Sequence, residues 1–504
     1  MRQNGILSTL ERFFSKWPVG ILLLPLFFVL HGVKENFGFI LPKDFLPLLL
    51  LYFIGAVLIY GFCFWIYRKR INAALLALFL LSVFFFYGAI QDFLRLHLPA
   101  LGRYIVLLPV FFALLVIFAI YLKRRKRNFS TANLFVHLLL CLYVLYDLVV
   151  LAGKLAFPPP DKLSIYQSAK PDDYIIDLTA KRPDIYFLVF DEYASSLCLK
   201  NDFGFENTSL DTFLINHQFR IQGRSSGNYN FTPFSVSSIL NMSYINGINP
   251  EAITADDYAR CNKLIRENEV IKWLSSSGYD IVNCSIFDLA GNPSPVNQDF
   301  LPLKARLITD RTLWGRMKRD LLWNLFEGRF EIKWLMENAV FVYNKNNNKL
   351  LDLVKQESER KQDRPRFIYA HFNMPHPPYY FDSTGKAVDR KMLEHAYDKD
   401  HALYLGYVQY TNAKIRELVT DIRKGTNNQA VIMVMGDHGF RNDSTMSHHV
   451  YLQNQNAVYL PSGFPNRYYD SITGVNQFRI LFNSVFGKQI PLLKDSTVFL
   501  KDAY

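Results

Sequence analysis

The hydrophobic positions follow different patterns in the two parts of the chain. Five apolar stretches, at 13–32, 45–67, 71–90, 104–122 and 132–152, are long enough or nearly so to cross a bilayer as helices at about 1.5 Å per residue. From Pro183 onward, short apolar runs alternate with amphipathic stretches. We therefore expect a five-helix transmembrane module at 1–152, a proline-containing linker at 153–182 and a second domain at 183–504.

The second domain has the pattern of an α/β fold. Three runs, at 184–190, 367–372 and 430–435, are apolar throughout, as in strands that are covered on both faces. Helices are predicted between them, at 232–242, 262–277 and about 401–422. This alternation predicts a mostly parallel central sheet flanked by helices, in which ligands bind beyond the carboxyl ends of the strands.

The net charge of +12 is concentrated in the apolar part of the chain. Residues 1–152 contain 15 Lys and Arg against 5 Asp and Glu, so the excess is +10 there and +2 in the remainder. Charges in this arrangement flank membrane helices, and they argue against binding to nucleic acid. Eleven basic residues lie in the loops on one side of the spans and four on the other, which predicts a cytoplasmic N-terminus and an extracytoplasmic C-terminal domain. Asp147 lies within the fifth stretch, where an ionisable group is a candidate for a functional role; because it lies near the outer end of the span, we expect it to reach interfacial water instead.

Acidic residues and a histidine follow two of the predicted strands. Asp191 and Glu192 come directly after the run at 184–190, and Asp437 and His438 come after Gly436. Carboxylate and imidazole groups are ligands suited to zinc or manganese, and neighbouring strand ends can bring them to one ion. Such a pair after a strand also occurs without a metal, so the residue types alone leave both interpretations open.

Thr232 is a candidate nucleophile. It is predicted to be the N-cap of a helix, with Pro233 at the first helical position. The positive end of the helix and its free amides favour an alkoxide and a bound phosphate. A Thr-Pro pair at a helix start also needs no chemistry, so a capping role is the alternative.

The order of these motifs resembles that of the alkaline phosphatase and sulfatase superfamily. The resemblance rests on PDIYFLVFDEY at 183–193, on Thr232 about forty residues later and on VMGDHGFR at 434–441. It covers the whole of the second domain and implies an alkaline-phosphatase-like fold. The five-helix prefix is similar to the layout of lipoteichoic acid synthases and lipid A phosphoethanolamine transferases.

The resemblance also implies a metal site. Its ligands would be Asp191, Thr232, Asp437 and His438, with Thr232 also the covalent nucleophile. The expected cofactor is a divalent metal, with zinc favoured over manganese, magnesium or calcium. Whether one or two ions are expected stays open, because an acidic pair such as Asp191 and Glu192 resembles the sulfatases, whereas phosphodiesterase-like members usually carry Gly at the second position.

Several histidines add to the candidate site. His376, in a His-Pro-Pro loop after the run at 367–372, resembles the substrate-contacting histidine of the family, and we expect it to contact an oxyanion or a leaving group. Capping of a loop carbonyl is the alternative. Further possible ligands or substrate contacts are Glu192, His371, His448 and His449.

One departure from the family bears on the reaction. Sulfatases mature a Cys or Ser to formylglycine in a Cys/Ser-x-Pro-x-Arg motif, whereas this chain reads Thr-Pro-Phe-Ser-Val from Thr232, from which no formylglycine can form. A threonine nucleophile resembles the phosphotransferases and phosphodiesterases of the superfamily.

We therefore expect a phosphotransferase anchored in the bacterial inner membrane. It would move a phospho-headgroup from a lipid or envelope donor to an envelope lipid or glycan acceptor through a phospho-threonine intermediate. The alternatives are a phosphodiesterase or sulfuric-ester hydrolase of the same superfamily, and a non-catalytic membrane scaffold with a degenerate domain.

Overall fold

The structure is a computed structural model that describes residues 4–124, 129–157, 164–165, 182–296, 305–318, 341–389, 392–393 and 401–502. The chain divides into two compact units, one comprising Met1–Pro160 with Pro302–Glu331 and the other comprising Asp161–Leu301 with Ile332–Tyr504. The helices and strands are α1 (Asn4–Lys16), α2 (Gly20–Glu35), α3 (Pro42–Tyr67), α4 (Arg70–His97), α5 (Tyr104–Arg124), α6 (Ser130–Ala156), β1 (Ser164–Ile165), β2 (Ile185–Phe190), α7 (Ser196–Phe203), α8 (Thr208–Asn216), β3 (Arg220–Ile221), α9 (Thr232–Asn241), β4 (Ile245–Asn246), α10 (Ala255–Arg266), α11 (Glu269–Ser276), β5 (Asp280–Cys284), α12 (Arg306–Thr309), α13 (Leu313–Met317), α14 (Val342–Glu359), β6 (Arg366–Phe372), α15 (His401–Gly425), β7 (Val431–Gly436), β8 (Asn456–Tyr459) and α16 (Gln477–Val485).

The first unit contains the apolar helices. Four of them, α3 to α6, are long and apolar enough to cross a membrane, and the number rises to five if α1 and α2 are counted as one span. Thr9–Lys16 and Gly20–Glu35 meet at an angle of 88°, so the apolar stretch at 13–32 forms two helices with a sharp bend between them. Pro18 lies at the break, where it lacks an amide donor and disfavours a helical conformation of Trp17.

Asp147 does not reach water, contrary to the expectation from its position near the end of a span. Its side chain is completely buried, and its carboxylate lies 2.8 Å from Lys34 Nζ and 3.2 Å from His31 Nδ1. The three residues join α2 to α6. Because a charge of this kind is costly without a partner, the ion pair accounts for the buried carboxylate.

The division into units differs from the sequence-based domains at 302–331, because the described part of this stretch packs on α2 and α4. A Cβ on Gly32 would lie 2.7 Å from Ile308, so only glycine permits this approach. The amide of Gly88 donates to the carbonyl of Arg311 at 3.0 Å. The Arg316 guanidinium donates to both carboxylate oxygens of Asp92, at 2.7 Å for the Nη1 contact.

The second unit is built on a six-stranded mixed sheet in the order β3-β8-β7-β2-β6-β5. Strands β5, β6, β2 and β7 are parallel, and β8 and β3 form an antiparallel edge. Every residue of β2, β6 and β7 is buried, as expected for strands covered by helices on both faces. The predicted α/β class and mostly parallel sheet are confirmed, and the three predicted strands agree with β2, β6 and β7 to within one residue.

The register of the central strands decides where the polar residues at their ends lie. Phe190 on β2 pairs with Gly436 on β7 and with Phe372 on β6. The residues that follow the strands, Asp191 and Asp437, therefore leave the sheet side by side at its carboxyl edge. Adjacent strands are about 4.8 Å apart, a spacing that lets two side chains reach one ion.

The predicted helix at 262–277 is interrupted. Helix α10 ends at Arg266 and α11 begins at Glu269, with Asn268 between them accepting a hydrogen bond from the amide of Ile271. An asparagine that caps the backbone in this way competes with a continuous helix. The apolar periodicity runs through the break, which is why the sequence pattern alone does not reveal it.

Candidate metal centre and nucleophile

The structure brings Asp191, Asp437, His438 and Thr232 together at the carboxyl edge of the sheet. One ligand atom from each of the two aspartates and the histidine lies within 4.8 Å of the others, and all three side chains are buried. The Thr232 hydroxyl donates to Asp191 Oδ1 at 3.2 Å, and its oxygen lies 3.1 Å from His438 Nε2. These are the four side chains that the sequence motifs single out.

The cluster contains more hydrogen-bond acceptors than donors. His438 Nδ1 lies 2.8 Å from the carbonyl of Gly439, which can only accept, so Nδ1 carries the proton and Nε2 presents a lone pair. Asp437 Oδ1 accepts from the amides of Glu192 and His438, whereas its buried Oδ2 has no hydrogen-bond partner among the described residues. The hydroxyl of Thr232 can donate only once. The remaining lone pairs converge on one point, which is the arrangement that a divalent cation satisfies.

The electrostatics of the cluster agree with this interpretation. Burial, together with the neighbouring Asp437 carboxylate, raises the pKa of Asp191 well above its usual value. Burial lowers the pKa of His438 to about 4, which keeps the imidazole neutral near pH 7. Two buried carboxylates beside a neutral imidazole repel each other until a positive charge is supplied. The oxygen and nitrogen ligands therefore fit a divalent cation such as zinc or manganese.

Thr232 is held at the start of α9 by its neighbours. It is the first residue of the helix and Phe231 is the N-cap, so the helix begins one residue earlier than the sequence predicts. The hydroxyl of Ser235 donates to the carbonyl of Asp437 at 2.6 Å, which ties the first turn of α9 to the end of β7. The helix start is therefore fixed against the metal-ligand candidates, and its positive end faces the same space.

Glu192 lies beside the cluster, but both of its carboxylate oxygens are used elsewhere. Oε1 accepts from the amide of Arg441 at 2.7 Å and Oε2 accepts from the side-chain amide of Asn442 at 2.9 Å. Burial raises the pKa of Glu192 to about 6. Its backbone adopts a φ of 66°, which costs a residue with a side chain about 1 kcal/mol and explains why glycine suits this position.

Replacing Glu192 with Gln should leave the metal content of the purified protein unchanged but lower its stability. Glutamine has one acceptor oxygen where glutamate has two, so its NH2 group would face one of the two donors, the amide of Arg441 or the NH2 of Asn442, at a cost of about 1.5–3 kcal/mol. Metal analysis and thermal unfolding, compared with Glu206→Gln at an exposed carboxylate paired with Lys200, measure the two effects. A loss of metal with no change in stability would instead make Glu192 a ligand.

Two further histidines border the cluster. His376 is half-buried in the loop after β6, its Nδ1 donates to the carbonyl of Pro377 at 2.6 Å, and its amide donates to the carbonyl of Asp191 at 3.1 Å. His371 is buried on β6, where Nδ1 lies 3.0 Å from the hydroxyl of Tyr369 and Nε2 has no partner among the described residues. Burial lowers the pKa of both imidazoles, that of His371 to about 4. Both rings are therefore neutral and keep Nε2 available.

His448 and His449 are placed differently from the other candidates. His448 stacks on Phe499, with 3.6 Å between the ring centroids, and His449 Nε2 lies 3.0 Å from Asp202. Both side chains are exposed, and neither belongs to the group of possible ligands that contains Asp437. They follow His438 by ten and eleven residues, but this spacing along the chain does not bring their side chains to the metal-ligand candidates.

Comparison with known families gives one match in sequence. Residues 243–478 match the family model described as sulfatase. The chain carries a sulfatase-family domain. The matched stretch includes Asp437, His438 and His376 and begins after Asp191 and Thr232. No curated protein matches the chain.

Solved structures also resemble the sulfatase-family domain. The C-terminal periplasmic domain of EcEptC from Escherichia coli, in complex with Zn, is 9% identical, with a TM-score of 0.40, over 66% of this chain and 92% of that chain. The phosphonate monoester hydrolase SpPMH from Silicibacter pomeroyi is 14% identical, with a TM-score of 0.39, over 63% and 75%. The periplasmic domain of the phosphoethanolamine transferase EptC from Campylobacter jejuni is 12% identical, with a TM-score of 0.33, over 56% and 80%.

Arg441 is a residue of the sulfatase-family domain that the sequence did not single out. Its guanidinium carbon lies 4.8 Å from the ring centroid of Phe231, the residue before Thr232, and its side chain is 25% exposed. The positive charge opposes the rise in the pKa of Asp191 and helps to lower that of His438, so it acts across the whole cluster. Arg441 follows Asp437 by four residues and is the last residue of the motif VMGDHGFR, and this position is the signal in the sequence that could have suggested it.

Proposed function

We propose that this protein transfers a phospho-headgroup from a membrane lipid to an envelope lipid or glycan, through a phosphorylated Thr232. The observation that carries the proposal is the buried, acceptor-rich cluster of Asp191, Asp437 and His438 around the Thr232 hydroxyl. A cluster that needs a cation and holds a hydroxyl at a helix start is suited to nucleophilic attack on a phosphorus ester.

In the first half-reaction, Thr232 Oγ1 attacks phosphorus and the bond from phosphorus to the donor's leaving oxygen breaks. Asp191 is the group positioned to take the hydroxyl proton, because its Oδ1 already accepts that hydrogen bond. His376 Nε2, on the half-buried loop, carries a lone pair because Nδ1 donates to Pro377, so the leaving oxygen takes its proton from solvent.

In the second half-reaction, an acceptor hydroxyl passes its proton to the lone pair of His376 Nε2 and attacks the phospho-threonine. The bond from phosphorus to Oγ1 breaks, Oγ1 regains its proton from Asp191, and His376 releases its proton to solvent. A divalent cation held by Asp191, Asp437 and His438 would neutralise the non-bridging oxygens and lower the pKa of the threonine hydroxyl. Arg441, above Phe231, adds a second positive charge for the same oxygens. A phosphorus ester is favoured over a sulfate ester, because threonine cannot become the formylglycine that sulfatases use.

The choice of a lipid donor rests on the helices in the same chain. Four or five helices long and apolar enough to span a membrane would keep the domain near a bilayer, where a tethered site meets its substrate at a high effective concentration. The excess of basic residues in one set of loops supports an inner-membrane location with the second unit extracytoplasmic.

Product analysis tests the proposal. The purified protein, supplied with divalent metal and phospholipids labelled in the head group, should release diacylglycerol and pass the label to an envelope acceptor. Release of the label as a free head-group phosphate, with or without acceptor, would show a hydrolase instead. Neither product, under conditions where the metal is bound, would favour a non-catalytic role.

A further inference from the structure

At residues 305–318 the chain comes back to the first unit, which contains the apolar helices. In sequence they separate two parts of the second unit, but they belong by their contacts to the first. They lie near the ends of α2 and α4, where Ile308 contacts Gly32 and Arg316 binds Asp92. We call these residues the return segment.

The return segment lies beside the ends of α2 and α4, where the apolar part of each helix is followed by polar residues. Gly32 is three residues from the end of α2, and Asp92 follows the apolar stretch at 71–90 by two residues. The helix surface beyond Asp92 remains open, with Phe93 61% exposed and Leu96 79% exposed. Because apolar side chains of α4 are exposed at this level, the surroundings are those of the interface between a bilayer and water.

The exposed side of the return segment carries the residues typical of such an interface. The whole return segment contains four Lys and Arg against one Asp, a net charge of +3, and of these Arg311 and Lys318 are exposed. Arg316 forms an ion pair with Asp92, and Arg306 forms one with Asp310 at 3.6 Å. Arg311 and Lys318 have no ion-pair partner among the described residues. Trp314 is 57% exposed between them.

We propose that Arg311, Trp314 and Lys318 form a binding surface for the head groups of anionic phospholipids. The indole would lie at the boundary between head groups and acyl chains, and the two cations would contact phosphate oxygens. Arg316 positions the surface by fixing α13 to α4. A lipid fits better than an acidic protein, because the neighbouring exposed residues of α4 are apolar and belong to a helix long and apolar enough to span a membrane.

Quenching of tryptophan fluorescence by lipids with brominated acyl chains tests this proposal on the full-length protein in bilayer nanodiscs. The chain has six Trp, so the signal of Trp314 is the difference between the wild type and Trp314→Phe. Brominated phosphatidylglycerol should quench this component more strongly than brominated phosphatidylcholine. Removing one charge with Arg311→Gln should lower the preference about fivefold.

Lys69→Gln is the matched control, because it removes one exposed charge at the opposite end of α4. It should leave the quenching of Trp314 unchanged. A Trp314 component that neither brominated lipid quenches would overturn the proposal by placing the segment away from the bilayer. Equal quenching by both lipids, unaltered in Arg311→Gln, would also overturn it, since contact would then be apolar and not selective for charge.

Discussion

Replacing Thr232 with alanine should abolish transfer, with activity reduced by on the order of 10⁶-fold, while the protein still folds and binds metal. The hydroxyl is the only group in the cluster placed to form the phosphorylated intermediate, and loss of a covalent nucleophile has effects of this size. The methyl group of alanine still fits the start of α9, because Phe231 rather than Thr232 occupies the N-cap. Activity, metal content and thermal unfolding are the measurements.

Mass spectrometry gives an independent readout of the same residue. The wild type, stopped during turnover with phospholipid, should carry a phosphoryl or phospho-headgroup adduct on the peptide that contains Thr232, and Thr232→Ala should carry none. Thr232→Ser should retain both the adduct and part of the activity, since the hydroxyl is kept. An active Thr232→Ala variant would exclude the covalent route and leave direct attack by the acceptor.

Replacing Asp437 with asparagine should remove the stabilisation that a bound metal gives the folded protein. Without metal the variant relieves the repulsion that raises the pKa of Asp191 but loses the contacts that lower the pKa of Asp437, so the two effects oppose each other and stability should change little. Asparagine Oδ1 can still accept from the amides of Glu192 and His438.

With metal the wild type should be clearly more stable than the variant. A ligand at a hundred times its Kd stabilises the folded wild type by about 2.7 kcal/mol, and the variant should lose this gain together with its activity. Thermal unfolding with chelator and with added zinc or manganese measures both effects, and Asp470→Asn, at an exposed carboxylate bound to Arg224, is the control. Equal stabilisation of the wild type and Asp437→Asn by metal would rule out Asp437 as a ligand.

Much of the architecture could be predicted from the sequence because it follows from local pattern. The continuous apolar runs predict β2, β6 and β7, and the length of the apolar stretches predicts helices α3 to α6. Asp191 and Asp437 were identifiable because each directly follows a buried parallel strand, and such strand ends meet at one edge. The apolar pattern does not show the breaks between helices at Pro18 and at Asn268. At these positions a proline or a side-chain cap competes with a continuous helix.

The sequence by itself determined the residue types of the site and the strands that deliver them. Only the tertiary structure decided which neighbouring polar groups join Asp191 and His438. It turns Glu192 toward Arg441 and His449 toward Asp202, and it brings the guanidinium of Arg441 over Phe231. It also returns residues 305–318 to the helical unit. The apolar pattern encodes the register of the strands, and the register fixes where the strand ends lie. The direction of a loop side chain depends instead on partners far away in sequence, which no local pattern specifies.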